Sequence, residues 1–149
     1  MGTWLWSVVT FIHVLAAAFW VGGQLLLVAV VLPELRRAVG AQQLRQLAGA
    51  AGARFQKITN RGLLPALLLS GVVLAGHDGV RPGNLATTAF GRVLLVKAGL
   101  VVVVFSLAAL HGWAAHRLPH HTRALAALTL AVSVAILGMG AGLSQLGGP

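Results

Sequence analysis

The sequence predicts an all-α integral membrane protein, a bundle of four transmembrane helices forming one domain over residues 1–149. Three observations predict it. Apolar residues make up 58% of the 149 and charged residues only 9%, whereas about a quarter of a soluble domain is charged. Mean hydropathy is +0.89, too apolar for water to solvate the surface of a globule. The Lys and Arg residues separate four long apolar runs, each near the roughly 20 residues that a helix needs to cross the hydrocarbon core.

The first run covers residues 4–32. No Lys or Arg precedes it, so the basic leader of a signal peptide is absent. At roughly 29 residues it predicts a retained, tilted helix, with Trp4 and Trp6 at its outer interface. His13, Ala16, Ala17, Trp20, Gly23, Gln24 and Leu27 follow helical spacing and mix small with polar residues. That is the composition of a face turned to other helices rather than to lipid. Pro33 ends the apolar run, and Glu34, Arg36 and Arg37 mark the interface.

Residues 41–53 predict an amphipathic cytoplasmic segment. Leu44, Leu47, Ala48, Ala51, Phe55 and Ile58 share one face, while Arg45, Arg54 and Lys57 lie off it. Gly49 and Gly52 predict a break there. The second span, 54–76, contains Pro65, which predicts a kink. It also holds Ser70 and Gly71, small residues suited to close helix approach. Turn formers fill residues 77–88, including His77-Asp78-Gly79. The third span, 89–116, opens with Phe90 and Arg92 at its mouth. The fourth, 123–146, is rich in small residues, and Gly138 with Gly142 forms a GxxxG pair suited to packing in the bundle or to a homodimer.

Eight Lys and Arg (Arg36, Arg37, Arg45, Arg54, Lys57, Arg61, Arg117, Arg123) fall on one side of these spans, and two (Arg81, Arg92) on the other. The positive-inside bias therefore predicts both termini outside. It also accounts for the net charge of +9 without a nucleic-acid partner. With no cysteine, and Met139 the single methionine beyond Met1, thiolate and thioether metal sites are excluded. Two acids in the whole chain leave no carboxylate pair for hydrolysis.

An ionisable side chain inside a span is costly and marks a functional site by default. His13 lies roughly 13 Å inside the outer end of the first span, and Lys97 roughly 12 Å inside that of the third. These spans are parallel in the predicted topology, so the two residues share a depth and are expected to share a site. Trp20 follows His13 two turns along the same face and is a candidate for lining a cofactor. His111 lies four turns beyond Lys97 at nearly the same angle, with Val101, Val104 and Ala108 between them, and is a second candidate ligand for a metal or cofactor. The lysine at the first of these positions argues against paired bis-histidine haems. His77 with Asp78 is a candidate entry site for a divalent ion at the outer mouth. His116, His120 and His121 around Arg117 predict a solvated interfacial turn, since Pro119 interrupts any helical chelate.

From His13 to the Trp20-Val21-Gly22-Gly23 stretch the chain resembles the membrane domain of the copper resistance protein D (CopD) family. The likeness continues through Arg54-Phe55, Ser70-Gly71 and the Phe90-Gly91-Arg92-Val93-Leu94-Leu95-Val96-Lys97 entry to the third span. It implies a multi-pass protein of the bacterial inner membrane that handles copper in transport or resistance. The His-in-first-span, Lys-in-third-span plan is also similar to HemJ-type protoporphyrinogen oxidases, small haem-binding membrane proteins. That likeness implies a b-type haem on His13, with Ala16, Ala17 and Gly23 leaving room for the macrocycle and Arg81, Arg92 or Lys97 facing its propionates. A cofactor-free membrane scaffold or subunit is the third expectation.

Overall fold

The computed structural model describes residues 2–117 and 122–146, with side chains over 2–110 and 124–142. The described residues are helical apart from short connections, and no strand occurs among them. The fold class is all-α. Four helices are long and apolar enough to cross a membrane, which makes this a multi-pass membrane protein. The chain divides into two compact units, Met1–Leu74 and Ala75–Pro149.

The first helix, α1, runs over Thr3–Ala38, and the second, α2, over Ala41–His77. α1 runs past its apolar run and α2 starts well before its own, and neither proline stops its helix. Residues Leu27–Val31 form a π-helical turn ahead of Pro33, closed by the Leu32 N–H donating to Leu27 O. Residues Thr59–Leu63 form another ahead of Pro65, closed by the Leu64 N–H donating to Thr59 O. Each π turn ends two residues before its proline. A proline ring crowds the carbonyl four residues back and offers no N–H. The wider i→i+5 turn relieves that crowding while the helix continues.

Gly49 and Gly52 do not break the second helix, contrary to the expectation from propensity. The amphipathic segment and the second span form one continuous rod. Leu44, Ala48, Ala51 and Phe55 make a half-covered stripe along it, whereas Leu47 and Ile58 of the expected face are exposed. Packing of that stripe overrides a glycine penalty of about 1 kcal/mol each. On α1 the covered face is the expected one. Ala16, Trp20 and Val21 are buried, and His13, Ala17, Gly23, Gln24 and Leu27 are half-buried.

In the second unit α2 ends in a Schellman closure. The Val80 N–H donates to Ala75 O and the Gly79 N–H to Gly76 O, with Gly79 at φ 82°. That left-handed conformation is the reason for glycine there. The loop to the third helix is ordered by Asn84, whose Oδ1 accepts from the Arg81 N–H and whose Nδ2 donates to Gly79 O. Thr88 then caps α3 (Ala89–Arg117), its Oγ1 accepting from the Gly91 N–H at 3.0 Å. Gly91 has no space for a side chain, since a Cβ would lie 2.7 Å from Leu85 Cα. α3 packs against α4, Thr122–Leu146. Val104, Ser133 and Ile136 are buried in this unit, and Ser133 Oγ donates to Thr129 O.

Candidate functional site

The first unit brings His13 of α1 to Ser70 of α2. His13 Nδ1 lies 2.8 Å from Ser70 Oγ. Ser70 Oγ also donates back along its own helix, to Ala66 O, with Leu67 O at 3.4 Å as the other carbonyl within reach. A serine hydroxyl carries one proton, and both carbonyls can only accept. Spending that proton on the helix leaves Ser70 Oγ as acceptor toward the ring, so His13 Nδ1 is the donor. In the neutral imidazole the lone pair then sits on Nε2. A ring nitrogen bonded to a fixed polar partner is the usual way a ligating histidine is oriented.

Gly71 completes the seat of the ring. A Cβ there would lie 3.2 Å from His13 Cε1, so a side chain would push the imidazole away from Ser70. The Ser70-Gly71 pair, read from the sequence only as small residues for close approach, is therefore what holds His13.

Further along the same interface, Trp20 is buried at 8% exposure, and its carbonyl accepts from Gln24 Nε2 at 3.4 Å. The space beside Gly23 is filled by the Phe55 ring, whose Cζ would lie 2.8 Å from a Cβ. Sequence reasoning expected Ala16, Ala17 and Gly23 to leave room for a macrocycle. Within this unit Ala16 is buried and Gly23 is closed by Phe55, so helix contacts take up the room at those two positions. The Thr59 hydroxyl, which the sequence did not single out, is buried at 7% exposure and has no hydrogen-bond partner among the described residues. It sits in the π turn ahead of Pro65.

The remaining candidates lie in the second unit. Lys97, half-buried on α3, rests its Nζ where a Cβ on Gly140 of α4 would lie 3.2 Å away. The stripe expected from Lys97 through Val101, Val104 and Ala108 is the covered face of α3. His111 and His116 lie on the same helix, with side chains outside the described residues. His120 and His121 are outside them altogether. His77 Nδ1 lies 3.4 Å from Asp78 Oδ1, both about 40% exposed. Gly138 and Gly142 are exposed with open space where a Cβ would be, so Gly140 and not the GxxxG pair meets the neighbouring helix. Among the described residues no three His, Asp or Glu gather as a metal cage.

No protein-family model, curated protein or solved structure matches this chain.

Proposed function

We propose that this is a bacterial inner-membrane protein that passes or sequesters copper, with His13 as its intramembrane ligand. The observation that carries the reading is the Ser70 hydrogen bond, which fixes the ring of a histidine held between two membrane-spanning helices. Imidazole suits copper among the first-row metals. A small set of ligands also suits a cargo ion, because conduction requires binding weak enough to let go. His77 and Asp78 offer an imidazole and a carboxylate at the outer mouth for first capture. The charge count, eight bases against two, supports both termini outside. The exposed Gly138 and Gly142 are the surface that a second copy would take.

The test is cellular copper content and copper sensitivity in a host carrying wild type, His13→Leu or Ser70→Ala. His13→Leu should behave as a deletion. Ser70→Ala should weaken copper affinity by about 10–100-fold, the usual effect of removing an outer-sphere partner. Copper levels indifferent to all three genotypes would overturn the reading.

A b-type haem on His13 is the second reading, favoured by the single imidazole fixed by Ser70 between two helices, since haem iron is commonly held by an axial imidazole. His13 would hold the iron through Nε2, and the haem would supply redox chemistry. Filling of the space at Gly23 by Phe55 favours a bare ion over a macrocycle on this face.

A further inference from the structure

We infer that the middle of the α1–α2 hairpin docks an acidic, membrane-embedded helix of another protein, with Asp or Glu spaced to meet Arg54, Lys57 and Arg61. The three bases recur at intervals of three and four residues, so they share one side of α2. All three are exposed. Two contacts fix their level along α1. The Phe55 ring, between Arg54 and Lys57, lies against Gly23, and Ser70, further along α2 than Arg61, meets His13. The bases therefore run alongside the middle of α1, with apolar surface on either side of them.

From Gly23 toward the Val39–Gly40 turn, α1 stays apolar through Leu32, a length of roughly 13 Å. It exposes Leu26 by 56% and Val30 by 52% there. The bases themselves occupy roughly 10 Å of α2. Beyond Arg61 the helix is apolar through Leu74, for roughly 20 Å more. The hairpin between Leu32 and Leu74 is thus roughly 43 Å long, against a hydrocarbon core of about 30 Å. A bilayer that covers Leu26 to Leu32 places the bases among acyl chains, where an isolated cation is costly. A bilayer that ends at the bases leaves Leu26 and Val30 in water. Lipid cannot satisfy both surfaces. A helix lying along the hairpin does, with apolar residues against α1 and carboxylates against the bases.

Those carboxylates have to come from a different protein. The chain holds two acids. Glu34 is bonded to Arg37 at 2.8 Å, and Asp78 lies beside His77. A second copy brings the same two acids and the same net charge of +9, so it repels where an acidic helix attracts. Pairing with an opposite charge is a usual way of keeping an ionisable residue inside a bilayer.

The experiment uses the whole protein in phosphatidylcholine bilayers with a probe helix of Leu and Ala, roughly 20 residues long, that carries three Glu at the spacing of the bases. A control probe has Gln in place of Glu. Energy transfer from the protein's tryptophans to a dansyl group on the probe measures binding. The Glu probe should bind wild type about tenfold more tightly than the Gln probe, and each of Arg54→Gln, Lys57→Gln and Arg61→Gln should weaken it about tenfold, as for close charge pairs at interfaces. Each variant removes a charge and no apolar contact, so insertion should survive it. Equal binding of the two probes by wild type would overturn the inference. So would single variants that bind the Glu probe as wild type does, or displacement of that probe by phosphatidylglycerol, which would assign the bases to lipid headgroups.

Discussion

Replacing Lys97 by Met removes an ammonium from an apolar helix while keeping most of its stem. An isolated cation at the centre of a span costs about 2.5–3.5 kcal/mol on insertion scales, and nothing acidic lies on α3 or α4 to offset it. Lys97→Met should therefore leave membrane insertion and thermal stability in detergent unchanged or raised. A variant that no longer inserts would show that the lysine serves the fold. His13 and Lys97 were legible from sequence because charge inside an apolar run is conspicuous. Ser70 and Gly71 were legible only as small residues. Their role as the seat of His13 depends on the register of two helices whose partners are 57 positions apart, and one chain read in order does not contain that register. Gly140, against Lys97 Nζ, was missed beside the more familiar Gly138 and Gly142 pattern.

Among the elements, the prolines and glycines carry the lesson. Pro33 was expected to end the apolar run and Pro65 to kink its helix, and a π turn stands ahead of each while the helix runs on. Gly49 and Gly52 were expected to break one, and the stripe from Leu44 to Phe55 holds it together. At the two glycines a local preference of about 1 kcal/mol each was outweighed by the rest of the helix and its packing. The contact between Gly23 and Phe55 tests this packing directly. Gly23→Ala places a methyl against the ring and should destabilise the protein by about 1–3 kcal/mol, the cost of overpacking. In a Phe55→Ala background the same substitution should cost nothing further, because the two changes share one contact. Thermal unfolding in detergent measures both. Equal losses in the two backgrounds would mean that the ring does not occupy the space beside Gly23.

For the molecule as a whole, composition and charge spacing sufficed for the all-α class and the four spans, because lipid allows a chain few alternatives to helices that satisfy their own backbone. Sidedness rests on the distribution of eleven bases, and the absence of cysteine gives a clean background for testing it. Gly40 and Gly83 are exposed with open space around them, so Gly40→Cys and Gly83→Cys should fold normally. An impermeant thiol reagent added to intact cells should label the second and spare the first. Labelling of both would contradict the proposed topology. The proposal that His13 is a copper ligand is tested most directly by metal analysis and an absorption spectrum of the purified protein beside His13→Leu. Wild type should bind copper, the variant should lose it, and neither should show a Soret band. A Soret band that disappears with His13 would contradict copper and favour haem, and wild type with neither copper nor haem would contradict the claim itself.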